Sequence, residues 1–518
     1  MNELLLAIDA GTGSVRAVLF DADGRQVAIG QREYSHAAEP GVPGSQVFDT
    51  TANWKLACAC IAEAIERSAV DASAIRAVAT TSMREGMVLY DGGGREIWAC
   101  PNVDSRAGAE AAELVESGAA EEIYALAGDW VAITAPARLR WIARNRPEVF
   151  AAVRHMGMLG DWLTTRLSGE YATDVSLGSS SGMFDLAGRT WSETILDLVG
   201  LDAAQVPPVL ESGTVIGAVT AAAAAETGIP AGTPVVAGGA DTQLGLLGIG
   251  IRADRSTTVV GGSFWQHTMV LDHPLIDPKA RLRTLCHAVP GTWMIEGIGF
   301  YSGLTMRWFR DAFCADDVTR AAERSMDVYD LLAELAAGVP PGSNGVLGIF
   351  SNVMHASRWI HASPAFVQFD ISAPERSGKN ECFRAIQEAA VYVSRGHRGI
   401  LEEIAGAVPD EIVFTGGASH GAMWAQILAD VHGVPVRVPV VKESTALGAG
   451  ICAGLGAGIY GSLEDADRLV RFERTVEPEP GAVAAYEDLC PEWLTAYERL
   501  LELAADGVVR PLWRAAGT

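Results

Sequence analysis

Short apolar runs that end at glycine-rich turns open the sequence. Residues 4–8 are apolar and Asp9 closes the run, the segment AGTGS at 10–14 is typical of a tight turn, and residues 15–20 are again mostly apolar. Two apolar segments of this length around a turn predict a β-hairpin. A further turn signal, DADG at 21–24, predicts that a third strand starts near Gln26.

Helical periodicity follows this hairpin and dominates much of the first half. We expect Asn53 to cap the first helix, because an apolar stripe begins directly after it. Residues 75–80 predict the next strand, helical patterns prevail over 107–167, and residues 381–407 predict a long helix in the second half. The residues of the first stripe are Trp54, Ala57, Cys58, Ile61 and Ile65.

A second hairpin with glycine at its tip is predicted about 250 residues after the first. Residues 257–260 and 264–270 flank the segment GGS, and a short strand over 235–237 feeds the glycine loop that precedes them. Near the C-terminus, a strand at 412–414 leads through the glycine turn at 416–420 into a helix. One such hairpin in each half predicts an α/β fold of two related lobes, residues 1–250 and 251–518.

Charge and cysteine content indicate which partners and which cellular compartment are expected. The 518 residues include 39 Lys and Arg against 64 Asp and Glu, a formal net charge of −25. A chain with this much negative charge repels phosphate backbones and anionic lipids. We therefore expect neither nucleic acid nor a membrane surface as a partner. Eight cysteines without a CxxC pair predict no disulfide scaffold and favour a reducing cytoplasm. The uncharged stretch 445–463 is rich in glycine and predicts a packed internal helix and a turn, not a membrane span.

The first turn carries groups suited to binding phosphate. Its glycines let backbone N–H groups approach an anion, Thr12 and Ser14 add hydroxyl donors, and Asp9 can hold a hydrated Mg²⁺. A plain hairpin turn, which favours the same residue types, is the alternative. Gly261 and Gly262 offer the same backbone donors at the second tip. Two facing tips of this kind would hold a polyphosphate between the lobes.

A single carboxylate, Asp241, stands in the glycine loop that follows the strand at 235–237. In isolation, an Asp at a strand-to-helix turn is most often the helix N-cap. Beside two phosphate-binding hairpins, it could instead accept the proton of a substrate hydroxyl as that oxygen attacks phosphorus. We therefore expect Asp241 to be a base, a role that is compatible with capping.

Three further features have both a structural and a functional interpretation. Arg84 and Glu85 follow a strand end and could bind a polyol or a carbonyl-rich molecule, although an Arg-Glu pair is commonly a solvated surface ion pair. The turn at 416–420 could pass an adenine ring close to the backbone or merely reverse the chain. Trp265 is typical of a core residue but could also stack on substrate.

Other site motifs are absent or out of context. The segment GSSSG at 178–182 fits the hydrolase pattern G-x-S-x-G but lacks a clear strand before it and a helix after it. The sequence has no G-x-x-x-x-G-K-[ST], no G-x-G-x-x-G after a strand, no H-R-D or D-F-G motif and no histidines at metal-binding spacing. P-loop, Rossmann and protein-kinase sites are therefore excluded.

Taken together, these segments resemble the FGGY family of carbohydrate kinases. The resemblance covers nearly the whole chain in the family's order, and it implies two actin-like (ribonuclease H-like) ATPase lobes around a central nucleotide cleft. It also implies ATP and Mg²⁺ as cofactors. The stretches that carry it are DAGTGSVR at 9–16, Trp98 with Asp104 and Arg106, GGAD at 238–241 and GGA at 416–418.

The resemblance assigns roles residue by residue. It makes Asp241 the catalytic base and Asp9 the residue that orients Mg²⁺ through water. Arg84 and Glu85 match the sugar-facing pair, and Asp104 is expected near the substrate with them. The expected nucleotide contacts are Thr12, Gly13, Ser14, Arg16, Gly261, Gly262, Gly303, Arg307, Gly417 and Ala418.

Some segments of the sequence indicate which substrate of the family is expected. The segments SMREG at 82–86 and WACPNVD at 98–104 resemble those family members that phosphorylate a small diketone, 4,5-dihydroxypentane-2,3-dione, at its C5 hydroxyl. Ile133, where glycerol kinase has a tyrosine, and the segment RLRW at 138–141 put glycerol in doubt. The resemblance also suggests the phosphocarrier protein of the sugar phosphotransferase system as a partner. The alternatives are another kinase of the xylulose, glycerol or erythritol type, and a non-catalytic, nucleotide-gated binding protein.

Overall fold

Strands and helices alternate along the chain, and the structure, a computed structural model, describes residues 3–253, 256–353, 360–440 and 443–515. The strands of the first half are β1 (Leu4–Ala10), β2 (Ser14–Asp21), β3 (Gln26–Glu33), β4 (Ile75–Ser82), β5 (Met87–Tyr90), β6 (Glu96–Cys100), β7 (His155–Met158), β8 (Thr173–Asp174), β9 (Phe184–Asp185), β10 (Thr190–Trp191), β11 (Val209–Leu210), β12 (Val215–Ala218) and β13 (Pro234–Ala240). Those of the second half are β14 (Thr257–Gly261), β15 (Trp265–Leu271), β16 (Arg283–Cys286), β17 (Trp293–Gly299), β18 (Leu347–Ile349), β19 (Ala365–Val367), β20 (Ile412–Thr415), β21 (Val436–Pro439) and β22 (Phe472–Val476).

Helices connect and cover these strands in both halves. Those of the first half are α1 (Thr50–Ser68), α2 (Gly108–Glu116), α3 (Ala119–Ala127), α4 (Ala135–Asn145), α5 (Pro147–Ala152), α6 (Leu159–Ser168), α7 (Val175–Ser180), α8 (Glu193–Val199), α9 (Ala221–Thr227) and α10 (Asp241–Gly248). Those of the second half are α11 (Ser302–Phe313), α12 (Ala315–Glu323), α13 (Val328–Ala336), α14 (Lys379–Ala405), α15 (Ala422–His432), α16 (Ser444–Gly456) and α17 (Pro480–Ala505).

Two large sheets, one from each half, organise the described residues. The first has the strand order β12-β13-β4-β1-β2-β3 and the second the order β16-β17-β15-β14-β20-β21-β22. In the first sheet, β13, β4 and β1 are parallel neighbours, and β2 and β3 continue from β1 in antiparallel pairing. The carboxyl ends of parallel strands share one edge of a sheet, which is where such sheets bind ligands.

Both predicted hairpins are present. β1 pairs antiparallel with β2 and places Ala10 opposite Val15 next to the turn. β14 pairs antiparallel with β15 and places Gly261 opposite Trp265. The predicted long helix is α14, and the predicted strand near residue 412 is β20. The turn chemistry of the sequence therefore identified the main hairpins of both sheets.

The first helix begins earlier than its apolar stripe predicts. α1 starts at Thr50 because Asp49 caps it, its side chain accepting a hydrogen bond from the backbone N–H of Ala52. Asn53 lies inside the helix and is buried, so the prediction that it is the N-cap is wrong. An apolar stripe marks the buried face of a helix, and the polar first turn of α1 falls outside that signal.

Helix α16 belongs to the second half by sequence but packs on the first sheet. Leu447 of this helix shares a buried apolar cluster with Leu5 of β1. The helix also crosses α10 closely, since a Cβ on Gly448 would lie 2.0 Å from the carbonyl oxygen of Leu244. The internal helix predicted within 445–463 is thus confirmed. Across the described ranges, we find no helix with the length and apolar character needed to cross a membrane.

Candidate active site

Two carboxylates meet at the carboxyl edge of the first sheet. Asp9 lies near the end of β1, and Asp241 directly follows β13. β4 lies between these strands, and its Thr81 pairs with Asp9 on one side and with Gly239 on the other. The two carboxylates are therefore one strand apart, and the charge of Asp9 contributes to raising the pKa of Asp241.

Asp9 is buried, and only one of its carboxylate oxygens is paired. Oδ2 accepts a hydrogen bond from Nε of Arg16 at 2.8 Å, and Nη1 of the same arginine pairs with Glu443 from the second half. Oδ1 has no hydrogen-bond partner among the described residues. Burial raises the pKa of Asp9, and Arg16 opposes that rise. A buried carboxylate oxygen without a partner fits Mg²⁺, which prefers oxygen ligands.

Asp241 is the first residue of α10 and does not cap it. The residue before it occupies the cap position, and Oδ1 of Asp241 accepts a hydrogen bond from the N–H of Thr242 at 2.7 Å. The capping alternative is therefore wrong. Burial raises the pKa of Asp241 to about 6, Arg84 acts to lower it, and Asp9 and Glu85 act to raise it. A carboxylate with a pKa near the working pH suits a proton acceptor.

The first hairpin tip is held through its carbonyl groups. The hydroxyl of Tyr34 donates a hydrogen bond to the carbonyl oxygen of Gly11, and Nε2 of His36 lies 2.8 Å from that of Thr12. These contacts fix the turn, and the hydroxyl oxygen of Thr12 accepts a hydrogen bond from Nδ2 of Asn102 at 3.2 Å. The predicted phosphate contacts here are Thr12 and Gly13, which are exposed, and Ser14, which is half-buried.

The second hairpin tip packs against two other backbone segments. A Cβ on Gly303, at the start of α11, would lie 2.2 Å from the carbonyl oxygen of Gly262. Gly416 has a φ of +85°, and a Cβ there would lie 2.7 Å from the carbonyl oxygen of Gly261. Only glycine permits these approaches. The remaining predicted nucleotide contacts lie nearby in sequence: Gly417 and Ala418 begin the helical turn after β20, and Arg307 is exposed on α11.

Arg84 and Glu85 are buried charges, so their interpretation as a solvated surface pair is wrong. Nη1 of Arg84 donates to Oε1 of Glu296 at 2.6 Å. Glu85 has a φ of +59°, a strained conformation for a residue other than glycine. Its carbonyl oxygen accepts a hydrogen bond from the Arg138 guanidinium, and its N–H donates to Oγ of Ser180 at 3.4 Å. Strain of this kind persists only where the surroundings hold it in place.

Two other predicted substrate residues have different surroundings. Both carboxylate oxygens of Asp104 accept hydrogen bonds from Nε of Arg106, at 3.1 and 2.8 Å, and each also accepts a backbone N–H, that of Gln46 or of Arg106. A contact between Asp104 and substrate stays a prediction. Trp265 is 2% exposed and packs against Phe414 and Trp424. Its ring therefore belongs to the core of the second half, and the prediction that it stacks on substrate is wrong.

Sequence reasoning missed three charged residues beside Arg84 and Glu85. They are Asp129, which follows α3, Arg283 on β16 and Glu296 on β17, and all three are buried. A signal for one of them was present, because Glu296 interrupts the apolar strand segment WMIEGIG. A lone buried charge is costly, so a charge inside such a strand implies a partner elsewhere in the chain.

Known proteins resemble this chain over most of its length. Residues 4–248 match the N-terminal domain of the FGGY family of carbohydrate kinases, and residues 259–457 match the C-terminal domain. The chain is 46% identical over 517 residues to the autoinducer-2 kinase of Klebsiella pneumoniae subsp. pneumoniae, covering 99% of this chain and 97% of that protein. It is 47% identical over 520 residues to the autoinducer-2 kinase of Yersinia enterocolitica, covering 100% and 98%.

A solved structure shares the fold. The xylulose kinase from Rhodospirillum rubrum superposes with a TM-score of 0.84 at 27% identity, covering 96% of this chain and 99% of that one. The predicted actin-like fold of two α/β lobes is thereby confirmed. Kinase membership also implies ATP as the phosphoryl donor. On its sequence match and its fold alike, the chain belongs to the FGGY family of carbohydrate kinases.

Proposed function

We propose that this kinase phosphorylates the C5 hydroxyl of autoinducer-2 in its open form, 4,5-dihydroxypentane-2,3-dione. The observation that carries the phosphotransfer is the placement of Asp9 and Asp241 at one sheet edge, a single strand apart. The choice of substrate is supported by relatives that are named autoinducer-2 kinase and match essentially the whole chain. The proposed partner is thus a small molecule.

In the proposed reaction, Asp241 takes up the proton of the attacking hydroxyl. The substrate oxygen forms a bond to the γ-phosphorus, the bond from that phosphorus to the bridging oxygen breaks, and ADP leaves with the bridging oxygen. Arg84 donates hydrogen bonds to the substrate's carbonyl groups, and Glu85 accepts from its hydroxyl groups. Closure of the lobes would exclude water that could otherwise hydrolyse ATP.

Asp9 would hold Mg²⁺ through water, with its unpaired Oδ1 as acceptor. The described ranges contain no group of three or more His, Cys, Asp or Glu side chains able to hold a metal on their own. This suits an ion whose other ligands are water and phosphate oxygens. When bound, Mg²⁺ neutralises charge on the phosphate groups. The two glycine tips, with Arg16 and Arg307, would contact the nucleotide.

We expect kcat to fall as the pH is lowered through about 6. Burial raises the pKa of Asp241 to about 6, so the protonated fraction of this carboxyl grows as the pH drops through that value. The protonated form cannot accept the hydroxyl proton, and the rate should drop about tenfold for each further pH unit. Steady-state rates at saturating substrate between pH 5 and 8, in buffers of constant ionic strength, measure this. The same profile in Asp241→Asn would show that another group titrates.

Asp9→Asn should raise the Mg²⁺ concentration needed for half-maximal rate about ten- to a hundredfold, as the loss of supporting metal contacts commonly does. The amide keeps an acceptor for Arg16 but removes the negative charge. Rates and ADP binding are measured across a Mg²⁺ titration. Asp21→Asn, at the far end of the same hairpin opposite Leu4, is the control and should keep the wild-type Mg²⁺ dependence. An unchanged titration in Asp9→Asn would remove Asp9 from the metal site.

A substrate panel tests the proposed function. ADP release is followed with the diketone, xylulose, glycerol and erythritol, and we expect the highest kcat/KM for the diketone. A preference for xylulose, the substrate named for the structural relative, would replace the proposed substrate and retain the kinase. The absence of phosphotransfer to any compound would favour the nucleotide-gated binding protein. A complex with the phosphocarrier protein of the sugar phosphotransferase system stays a prediction from resemblance.

A further inference from the structure

A cluster of buried charges joins the two halves of the chain beside the proposed substrate site. Nη1 of Arg84 lies 2.6 Å from Oε1 of Glu296. Nη2 of Arg283 lies 2.7 Å from Oε1 of Glu85 and 2.5 Å from Oδ2 of Asp129. None of the five side chains is more than 7% exposed. We call these five residues the interlobe cluster.

Each half contributes to the interlobe cluster from a defined position. Arg84 and Glu85 follow the carboxyl end of β4 in the first sheet. Arg283 and Glu296 are direct partners across the antiparallel strands β16 and β17, so their side chains share one face of the second sheet. Their heads are also close, with Nε of Arg283 3.5 Å from Oε1 of Glu296. The second half therefore presents one cation and one anion side by side on paired strands.

The interlobe cluster contains more buried charge than is needed to hold the two lobes together. Three carboxylates face two guanidinium groups, and burying such charges is unfavourable unless they are fully paired. Oε2 of Glu296 is buried and has no hydrogen-bond partner among the described residues. Apolar residues of similar size commonly stabilise a fold as well as a buried ion pair does. A role in the reaction therefore explains the presence of these charges better than a contribution to stability does.

Arg84 links the interlobe cluster to the proposed base. Its charge acts on Asp241, where it lowers the pKa that burial raises. Arg84 makes the contact with Glu296 through Nη1, and a guanidinium carries further N–H donors that can serve the substrate. The contact with Glu296 thus fixes a guanidinium that is proposed to serve the reaction directly.

We propose that Glu296 and Arg283 are positioning residues for the phosphotransfer. Glu296 holds Arg84, and Arg283 holds Glu85, so the second lobe sets the orientation in which the first lobe presents this pair to the substrate. The inference rests on the proposed function, in which Arg84 and Glu85 bind the substrate. It assigns the second lobe a part in recognising the phosphoryl acceptor as well as ATP.

Steady-state kinetics of Glu296→Ala, Arg84→Ala and the double variant test this proposal. Each single variant should raise the KM of the small substrate about tenfold or more and change the KM of ATP less than about twofold. Because Glu296 acts through Arg84, adding Glu296→Ala to Arg84→Ala should change KM by less than about twofold. Glu296→Gln keeps an acceptor for Arg84 and should lie between the wild type and Glu296→Ala.

Glu388→Gln is the matched control, because Glu388 forms a separate buried ion pair with Arg384 on α14. It should alter the unfolding temperature and leave the KM of the small substrate unchanged. ADP binding identifies folded variants, and Arg283→Lys with Glu296→Gln carries the test if Glu296→Ala does not fold. An unchanged KM in these folded variants would overturn the proposal. So would effects that multiply in the double variant.

The measurements use whichever panel compound the wild type prefers. A preference for a compound other than the diketone then revises the proposed substrate alone. The kinetics of the variants still test whether Glu296 acts through Arg84. Failure of the proposed function and failure of this inference therefore give different results.

Discussion

Asp241→Asn is expected to lower kcat by about 10²–10⁴-fold, the usual contribution of a general base, while leaving ATP binding nearly unchanged. The amide keeps the shape of the side chain and an acceptor for the N–H of Thr242. It removes the charge that takes up the substrate proton. ADP release at saturating substrates gives kcat, and calorimetric titration with ATP gives the binding constant.

Asp161→Asn is the matched control for this variant. Asp161 is also buried in the first lobe, and burial raises its pKa well above the ordinary value. It lies in the first turn of α6, where its Oδ2 accepts a hydrogen bond from the N–H of Met158. We expect wild-type kcat from Asp161→Asn. Wild-type kcat from Asp241→Asn would make Asp241 a structural residue and would end its assignment as the base.

Gly303→Ala is expected to lower kcat/KM for ATP about a hundredfold, the cost that a misplacement of about 1 Å can have. The new Cβ would lie 2.2 Å from the carbonyl oxygen of Gly262, a backbone atom that no rotamer change can move aside. Either α11 or the hairpin tip must shift. Initial rates over an ATP titration measure the effect.

Gly399→Ala controls for the substitution itself. Gly399 lies on the exposed side of α14, where a Cβ meets nothing within 4 Å, and alanine favours a helix. This variant should keep wild-type kinetics and an unfolding temperature at least as high as the wild type. If Gly303→Ala kept its kcat/KM for ATP, the second hairpin tip would not be part of the nucleotide site.

The backbone parts of the candidate site were predictable from local sequence. Tight turns and close backbone contacts require glycine, so the tips at 11–13 and 261–262 are visible in the residue types alone. Asp241 was identifiable for a related reason, since it follows a strand and a glycine pair at a sheet edge. Local chemistry of this kind does not depend on the rest of the chain.

The charged surroundings of the site were not predictable in the same way. Arg84 and Glu296 are 212 positions apart in the sequence, and only the packing of one lobe on the other brings them together. The prediction that Trp265 stacks on substrate was wrong for a related reason. A position close to the turn in the sequence does not determine which side of the strand the side chain faces in the fold. Asp49 was overlooked as a cap since it precedes the apolar stripe of its helix.

The position of α16 means that the sequence boundary between the lobes does not separate two independent folding units. Although α16 belongs to the second half of the sequence, it covers Leu5, Ala7 and Val236 on one face of the first sheet. A fragment ending near residue 250 would leave that apolar face in water and would take Glu443 away from Arg16. The enzyme's N-terminal half is therefore completed only after the residues of α16 have been synthesised.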